Sequence, residues 1–439
     1  MLQKKGLSFL FARLRWRSAA ATGIFLLLGL APILAACSTS STQPGAVEQQ
    51  ATTPPVSLFL PTSCHNLQMI NPGNGSVLRV AHLDQNDQVF CLVPGTSAAF
   101  STEFLGSTAA AANGIVYVAG DVANFTDTGT PGVVFAFDIA TGTLKWKAFA
   151  NGSANPPANG KIFGQLALAN GLVYFGSVNH HMLAINASTG KPVWDFATHD
   201  AVVSSPTVGT TNTAHDTVFF GSNDRHVYAI DAFNGLLRWS FPTRIQVETK
   251  PAIGFQGTVL VTDGLTLYAL DPKNGTLKWS LSSPDDTTFF SSPTFGLVDG
   301  KPRVFVGTSV GVLAVDATNG AKVWEKRLGA PVRAAPTCAC DGASLLRLVV
   351  NVDGLNAPAG VYLLDPHNGD IRAHPLTNGG ASRPTLFNGH ALVTIEHQPR
   401  DNLVSVNLTT GQVEWRWGPG VSDIDSGAGF SYIAPVLGA

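Results

Sequence analysis

Four groups of residues in this 439-residue chain have types and spacings that could do chemistry. Gly307-Thr308-Ser309-Val310-Gly311 has the Gly-x-Ser-x-Gly spacing of a nucleophilic serine, which works only on a strained strand–turn–helix elbow. Here the flanking residues read as strand, turn, strand, so a structural turn is expected. Asp423-Ile424-Asp425-Ser426-Gly427 begins like a calcium loop but lacks the later oxygen ligands and the closing glutamate; a solvated loop is expected. His180-His181 has no partner at the spacing of a zinc site, so no metal site is expected. Lys250, Arg333 and Arg383 lie in short segments that end in proline. If those segments line a common channel, the three cations would focus positive potential on an anionic ligand or an acidic peptide, and charge reversal at Arg383 would abolish that binding. The plainer reading, preferred on sequence alone, is scattered solvated rim charge of little individual weight.

Five cysteines bear on where the chain works. Residues 1–36 read as a leader: Lys4, Lys5, Arg13, Arg15 and Arg17 precede an apolar stretch from Ser18 to Ala36. Leu34-Ala35-Ala36-Cys37 resembles a bacterial lipobox, which implies acylation of Cys37 and cleavage before it. The alternative is an uncleaved signal anchor, because about 19 apolar residues just span a bilayer. Both place the body outside the cytoplasm, lipid-anchored to a membrane in the first case. Residues 37–55, the lipidated cysteine with a Ser/Thr/Gln/Pro-rich segment, read as a flexible tether. Four cysteines remain, and an oxidising compartment favours disulfides. Proximity favours Cys64 with Cys91, although three pairings are open. Cys338 and Cys340 would either close a small ring or remain two buried thiols.

The elements that must position all of these are repeats. Aligned on an Asp or Asn, eight copies begin at Asn71, Asp138, Asn186, Asp231, Asp271, Asp316, Asp365 and Asn407. A glycine follows four places later in every copy: Gly75, Gly142, Gly190, Gly235, Gly275, Gly320, Gly369 and Gly411. Eight places after the anchor, six copies have tryptophan: Trp146, Trp194, Trp239, Trp279, Trp324 and Trp415. Arg79 and Ala373 replace it in the first and seventh copies. Alternating apolar runs flank each Asp-x-x-x-Gly element and read as antiparallel strands, with the glycine supplying a left-handed turn residue. Another apolar strand and the proline-ended segment lie upstream, giving four strands per copy. We therefore expect an all-β, eight-bladed β-propeller over residues 56–439, of four-stranded antiparallel blades. The C-terminal Tyr432–Val436 looks like a first strand with no blade after it, so the N- and C-terminal strands are expected to share one blade and leave no open edge. The first copy-to-copy gap predicts insertions near 84–105 and 121–131.

Ala136-Phe137-Asp138-Ile139-Ala140-Thr141-Gly142-Thr143-Leu144-Lys145-Trp146 resembles the PQQ-like, quinoprotein-type repeat at every specified position. The resemblance covers nearly all of residues 56–439 and implies that each tryptophan docks between adjacent blades. It also implies one possible chemistry, that of dehydrogenases holding pyrroloquinoline quinone (PQQ) with calcium. Those enzymes often have adjacent bonded cysteines, whereas Ala339 separates Cys338 from Cys340. Lipobox, tether, blade number and repeat together are similar to the propeller lipoprotein of the outer-membrane β-barrel assembly machinery. The expectation is therefore a non-catalytic, monomeric scaffold with no cofactor, binding an envelope protein through rim loops and the membrane through its lipid. A PQQ-dependent oxidoreductase and a sugar- or cell-wall-binding sensor are the alternatives. A net charge of −2 and no basic run after residue 17 argue against nucleic acid.

Overall fold

The computed structural model describes residues 25–26, 57–61, 66–74, 76–82, 103–105, 110–122, 132–150, 160–210, 215–284, 287–340, 346–352, 358–377, 379–380, 382–395, 403–417 and 437–438. Cys37, Cys64, Cys91, Gly75, the tether, the 423–427 loop, Tyr432–Val436 and most of both expected insertions lie outside them. Among the described residues every sheet is antiparallel, and the one helical element is a single 3-10 turn at Phe255–Gly257. The strands assemble into eight sheets, six of which are four-stranded with neighbours in chain order. One of these consists of Thr207–Gly209, Thr217–Ser222, His226–Asp231 and Leu237–Pro242.

Why the repeat folds this way is visible strand by strand. The second and third strands are buried along nearly their whole length, as in Thr217–Ser222, because each sheet is covered on both faces by its neighbours. Such strands read as unbroken apolar runs. The fourth strand alternates exposure, as in Leu277–Ser282. At each of the seven anchors whose glycine is described the turn closes identically: the glycine four places on donates its N–H to the anchor carbonyl at 2.8–2.9 Å. The seven described glycines of the series have φ between 69° and 76°, the left-handed region an L side chain disfavours. The anchor side chain caps the same turn; Asp231 Oδ1 accepts from Phe233 N at 2.9 Å and Asn234 N at 3.1 Å.

Apolar cores lie between successive sheets, from the Tyr117–Ile185 cluster round to the Val349–Val406 cluster. The innermost strands of seven consecutive sheets lie side by side, from Ala110–Ala112 through Ala167–Ala169, Thr207–Gly209, Ala252–Ile253, Thr294–Val298 and Thr337–Ala339 to Thr385–Phe387, and form an inner wall. At the remaining sheet, Ser57 pairs with Gly438. The free edge of the same strand also pairs with Phe25–Leu26, inside the apolar stretch read as leader. Cys338 and Cys340 are bonded to each other; the sequence had left them bridged or free.

One polar clasp joins two sheets at their turns. His367 Nε2 lies 2.7 Å from Asp299 Oδ2 and its Nδ1 lies 2.8 Å from Asp365 Oδ1. Two carboxylate acceptors require both ring nitrogens to donate, so the hydrogen bonds His367 makes to Asp299 and Asp365 raise its pKa. A pKa raised on folding stabilises the protein fully below the unfolded value of about 6.5 and loses that contribution as pH rises through the folded value. We expect the wild type to lose slightly more stability than His367→Gln across that window, by less than about 1 kcal/mol because the groups are solvent-screened. Denaturant melts at two pH values on either side check this; parallel pH profiles would refute it.

Candidate functional site

Two sets of repeat residues can carry function: the tryptophans between sheets and the cations on the inner wall. Each of five tryptophans donates its indole N–H to the carbonyl one place after the next copy's anchor. The pairs are Trp146 to Ala187 at 3.1 Å, Trp194 to Ala232 at 3.0 Å, Trp239 to Pro272 at 3.0 Å, Trp279 to Ala317 at 3.1 Å and Trp324 to Pro366 at 2.9 Å. The ring then rests on the next copy's turn glycine: a Cβ on Gly275 would stand 2.6 Å from Trp239 Cε3, and Gly190, Gly235, Gly320 and Gly369 are similar. The glycine therefore has two reasons to lack a side chain, of which the sequence reading had supplied only φ.

The tryptophan also has a small partner within its own sheet. Ala136, Ala184, Ala229, Ala269 and Ala314 stand directly across the ladder from the five docking tryptophans. Across that alanine the indole reaches an aromatic ring on the second strand in four copies, as Trp239 does with Phe219 at 5.8 Å between centroids. The seventh copy inverts the sizes: Leu363 stands opposite Ala373, and a Cβ on Gly411 would meet Ala373 Cβ at 2.5 Å and Leu363 Cδ1 at 3.9 Å. Trp415 occupies the same strand position opposite Ser405; the glycine that would receive it, Gly75, is not described.

On the inner wall, the residue just before each first-strand proline, or at the matching place, forms one ring: Gln165, Ser205, Lys250, Ser292, Ala335 and Arg383. Serines stitch neighbours together, with Gln165 N donating to Ser205 Oγ at 2.8 Å and Lys250 N to Ser292 Oγ at 2.9 Å. Lys250 Nζ reaches past the Ser205 sheet to Gln165 Oε1 at 3.4 Å. Burial, and then the Arg383 charge, lower the Lys250 ammonium to about 8. Arg383 is surrounded by protein and its pKa is lowered by burial, yet it keeps accessible surface. Arg333 belongs to a different ring, two places further from its proline, where it lies over Phe290 with its guanidinium carbon 4.9 Å from the ring centroid. Glu248 holds the matching place in its own copy, and burial raises its pKa. Lys250 and Arg383 thus share one register position on the wall and Arg333 occupies another.

Sequence reasoning missed Asp224 and Asp263, which tie the segment entering each sheet to the turn between its second and third strands. Asp263 accepts from Arg244 N at 3.0 Å and Ile245 N at 3.4 Å on the incoming segment. It also accepts from Leu265 N at 3.0 Å, Thr266 N at 2.8 Å and Tyr268 Oη at 2.9 Å. Asp224 accepts from His199 N at 3.0 Å, His226 N at 3.1 Å and Tyr228 Oη at 2.7 Å. Among the described residues no group of three His, Cys, Asp or Glu could hold a metal, and no helix is long and apolar enough to cross a membrane. Gly307–Gly311 is the turn between Lys301–Thr308 and Gly311–Asp316, with no helix to form an elbow.

A family model described as "Outer membrane protein assembly factor BamB" matches residues 130–213 and 205–417. No curated protein matches the sequence. Among solved structures, BamB from Moraxella catarrhalis is 18% identical, covering 59% of this chain and 76% of that one at a TM-score of 0.46. The computationally designed Ika8 protein is 15% identical, covering 76% and 90% at 0.54. The quinohemoprotein alcohol dehydrogenase of Comamonas testosteroni is 14% identical, covering 78% and 68% at 0.51. The last two likenesses are of fold, which unrelated functions share.

Proposed function

This chain belongs to the outer membrane protein assembly factor BamB family of PQQ-like propellers, and from that premise we propose that it is a non-catalytic, lipid-anchored extracytoplasmic scaffold that binds an envelope protein through its rim turns. Eight sheets and the Ser57–Gly438 pairing support a closed eight-bladed ring; the Leu34-Ala35-Ala36-Cys37 sequence supports Cys37 as the lipidated N-terminus.

The observation that carries the binding role is one rim turn unlike the rest. Phe233, Leu236 and Leu237 are 64%, 66% and 51% exposed in a single anchor turn. The residues matching Phe233 are Gly73, Ala140, Ser188, Lys273, Thr318, His367 and Thr409; those matching Leu236 are Ser76, Thr143, Lys191, Thr276, Ala321, Asp370 and Gln412. The turn closes equally well with small or polar residues at these two places, so folding does not demand Phe233 and Leu236, whereas Leu237 has apolar counterparts such as Leu144 and Leu277. Exposed large apolar groups gathered at one place mark contact surfaces, and burying each contributes about 1.5–3 kcal/mol. Calcium sites are built on carboxylate oxygens, and the described ring of Gln165, Ser205, Lys250, Ser292, Ala335 and Arg383 contains no carboxylate, which supports the non-catalytic reading over quinone chemistry with calcium.

A photo-crosslinking residue at 233 is expected to capture a discrete envelope protein in living cells, whereas the same residue at Ser188 captures none. Phe233→Ser with Leu236→Thr should weaken that partner's binding tenfold or more without changing the melting temperature. Equal capture from both positions, or unchanged binding by the double variant, would refute the reading. Radiolabelled fatty acid should enter the wild type and not Cys37→Ser.

A further inference from the structure

We propose that the inner-wall ring of Lys250, Arg383 and Gln165 is a binding site for a small multivalent oxyanion, either phosphate or a di- or tricarboxylate. Lys250 and Arg383 stand at the same place, one residue before the first-strand proline, on sheets three apart whose first strands lie side by side along the inner wall, and the Arg383 charge acts on the Lys250 ammonium. Both side chains therefore enter one space from different parts of the wall. That space also contains the Gln165 amide oxygen, 3.4 Å from Lys250 Nζ.

Among the described residues neither cation has a carboxylate partner. Lys250 Nζ bonds only Gln165, and Arg383 Nε donates to Thr337 Oγ1 at 3.3 Å. Thr337 Oγ1 in turn donates to Pro384 O at 2.8 Å, which holds the guanidinium by its inner edge. Its two terminal amino groups have no described protein acceptor. Like charges held near each other without a counter-charge repel and so cost the folded chain stability, and a ring of backbone and hydroxyl dipoles does not neutralise them. A guanidinium fork binds two oxygens of a carboxylate or phosphate at once, and an ammonium supplies a point charge to a third. An anion bearing two or more charges would satisfy both groups together. A singly charged ion would leave repulsion behind. The proposal is independent of the rim contact at Phe233, and each can fail alone.

The test uses the purified full-length protein with sodium phosphate and sodium citrate as probes, against sodium chloride at equal ionic strength. Phosphate or citrate is expected to raise the melting temperature saturably beyond chloride, as binding to the native state requires. The anion with the lower midpoint identifies which oxyanion the ring fits. Arg383→Gln and Lys250→Gln should each weaken that midpoint at least tenfold, while Arg333→Gln leaves it unchanged. In chloride both ring variants should melt at or above the wild type, because each removes one of two repelling charges; misfolding would do the opposite. The proposal is overturned if neither anion acts saturably, if Arg383→Gln binds as the wild type does, or if the ring variants melt well below it in chloride.

Discussion

Trp239→Ala is expected to destabilise the protein by about 3–5 kcal/mol, the cost of deleting a large buried aromatic side chain. Trp239 is 7% exposed and belongs to two sheets at once. Its indole N–H is bonded to Pro272 O, its face covers Gly275, and its edge meets Phe219 across Ala229. The alanine variant would leave a cavity at each of those three places, and the backbone of a left-handed glycine turn cannot collapse far to fill it. The seventh copy shows how the fold itself manages without the ring, by exchanging sizes so that Leu363 faces Ala373. Ala229→Leu alone should therefore cost about 1–3 kcal/mol through overpacking. Combined with Trp239→Ala it should restore part of the loss. The double variant is expected to be more stable than the sum of the singles by at least about 1 kcal/mol, as coupled neighbours show. Denaturant titration of all four proteins measures this. Strict additivity would mean that Leu363 and Ala373 are not a compensating pair.

Most of the fold was legible because its determinants are local and repeated. Anchor, glycine and tryptophan recur at fixed offsets, and each acts within one turn or on the adjacent copy. Copy spacing alone therefore implies both sheet and neighbour. The alanine two places before five of the anchors was equally visible, but its meaning depends on the cross-strand register, which places Ala229 opposite Trp239. The channel cations were legible as residue types and not as a site. Lys250 and Arg333 occupy different depths because one stands one place, and the other three places, before its proline. Which of them meet across the ring depends on side-chain reach over several sheets. Asp263 was illegible for a related reason: its acceptors serve N–H groups nearly twenty residues earlier, and nothing in the local pattern marks a carboxylate as buried. The tyrosine four or five places later, Tyr228 after Asp224 and Tyr268 after Asp263, is the sole sequence signal the two sites share.

Asp263→Ala is expected to cost about 3 kcal/mol or more, although it removes only a small side chain. The carboxylate is 4% exposed and accepts from four backbone N–H groups and the Tyr268 hydroxyl. Deleting it leaves several buried donors without acceptors, at about 1–3 kcal/mol for each that water cannot reach. Asp263→Asn keeps the shape but turns one acceptor oxygen into a donor facing other donors, so it should recover little. The loss should also spread to the channel. Arg244 and Ile245, held by Asp263 Oδ2, begin the segment that continues through Val247, packed under Gly221, to Lys250. With that tether cut, the segment loses its outer fixed point, and Lys250 is no longer held against Gln165. Hydrogen exchange should therefore rise at residues 244–250 in Asp263→Ala, and much less in the outer strand Leu277–Ser282 of the same sheet. Uniformly raised exchange across the sheet would mean that Asp263 supports the blade as a whole and does not specifically position the segment leading to the channel.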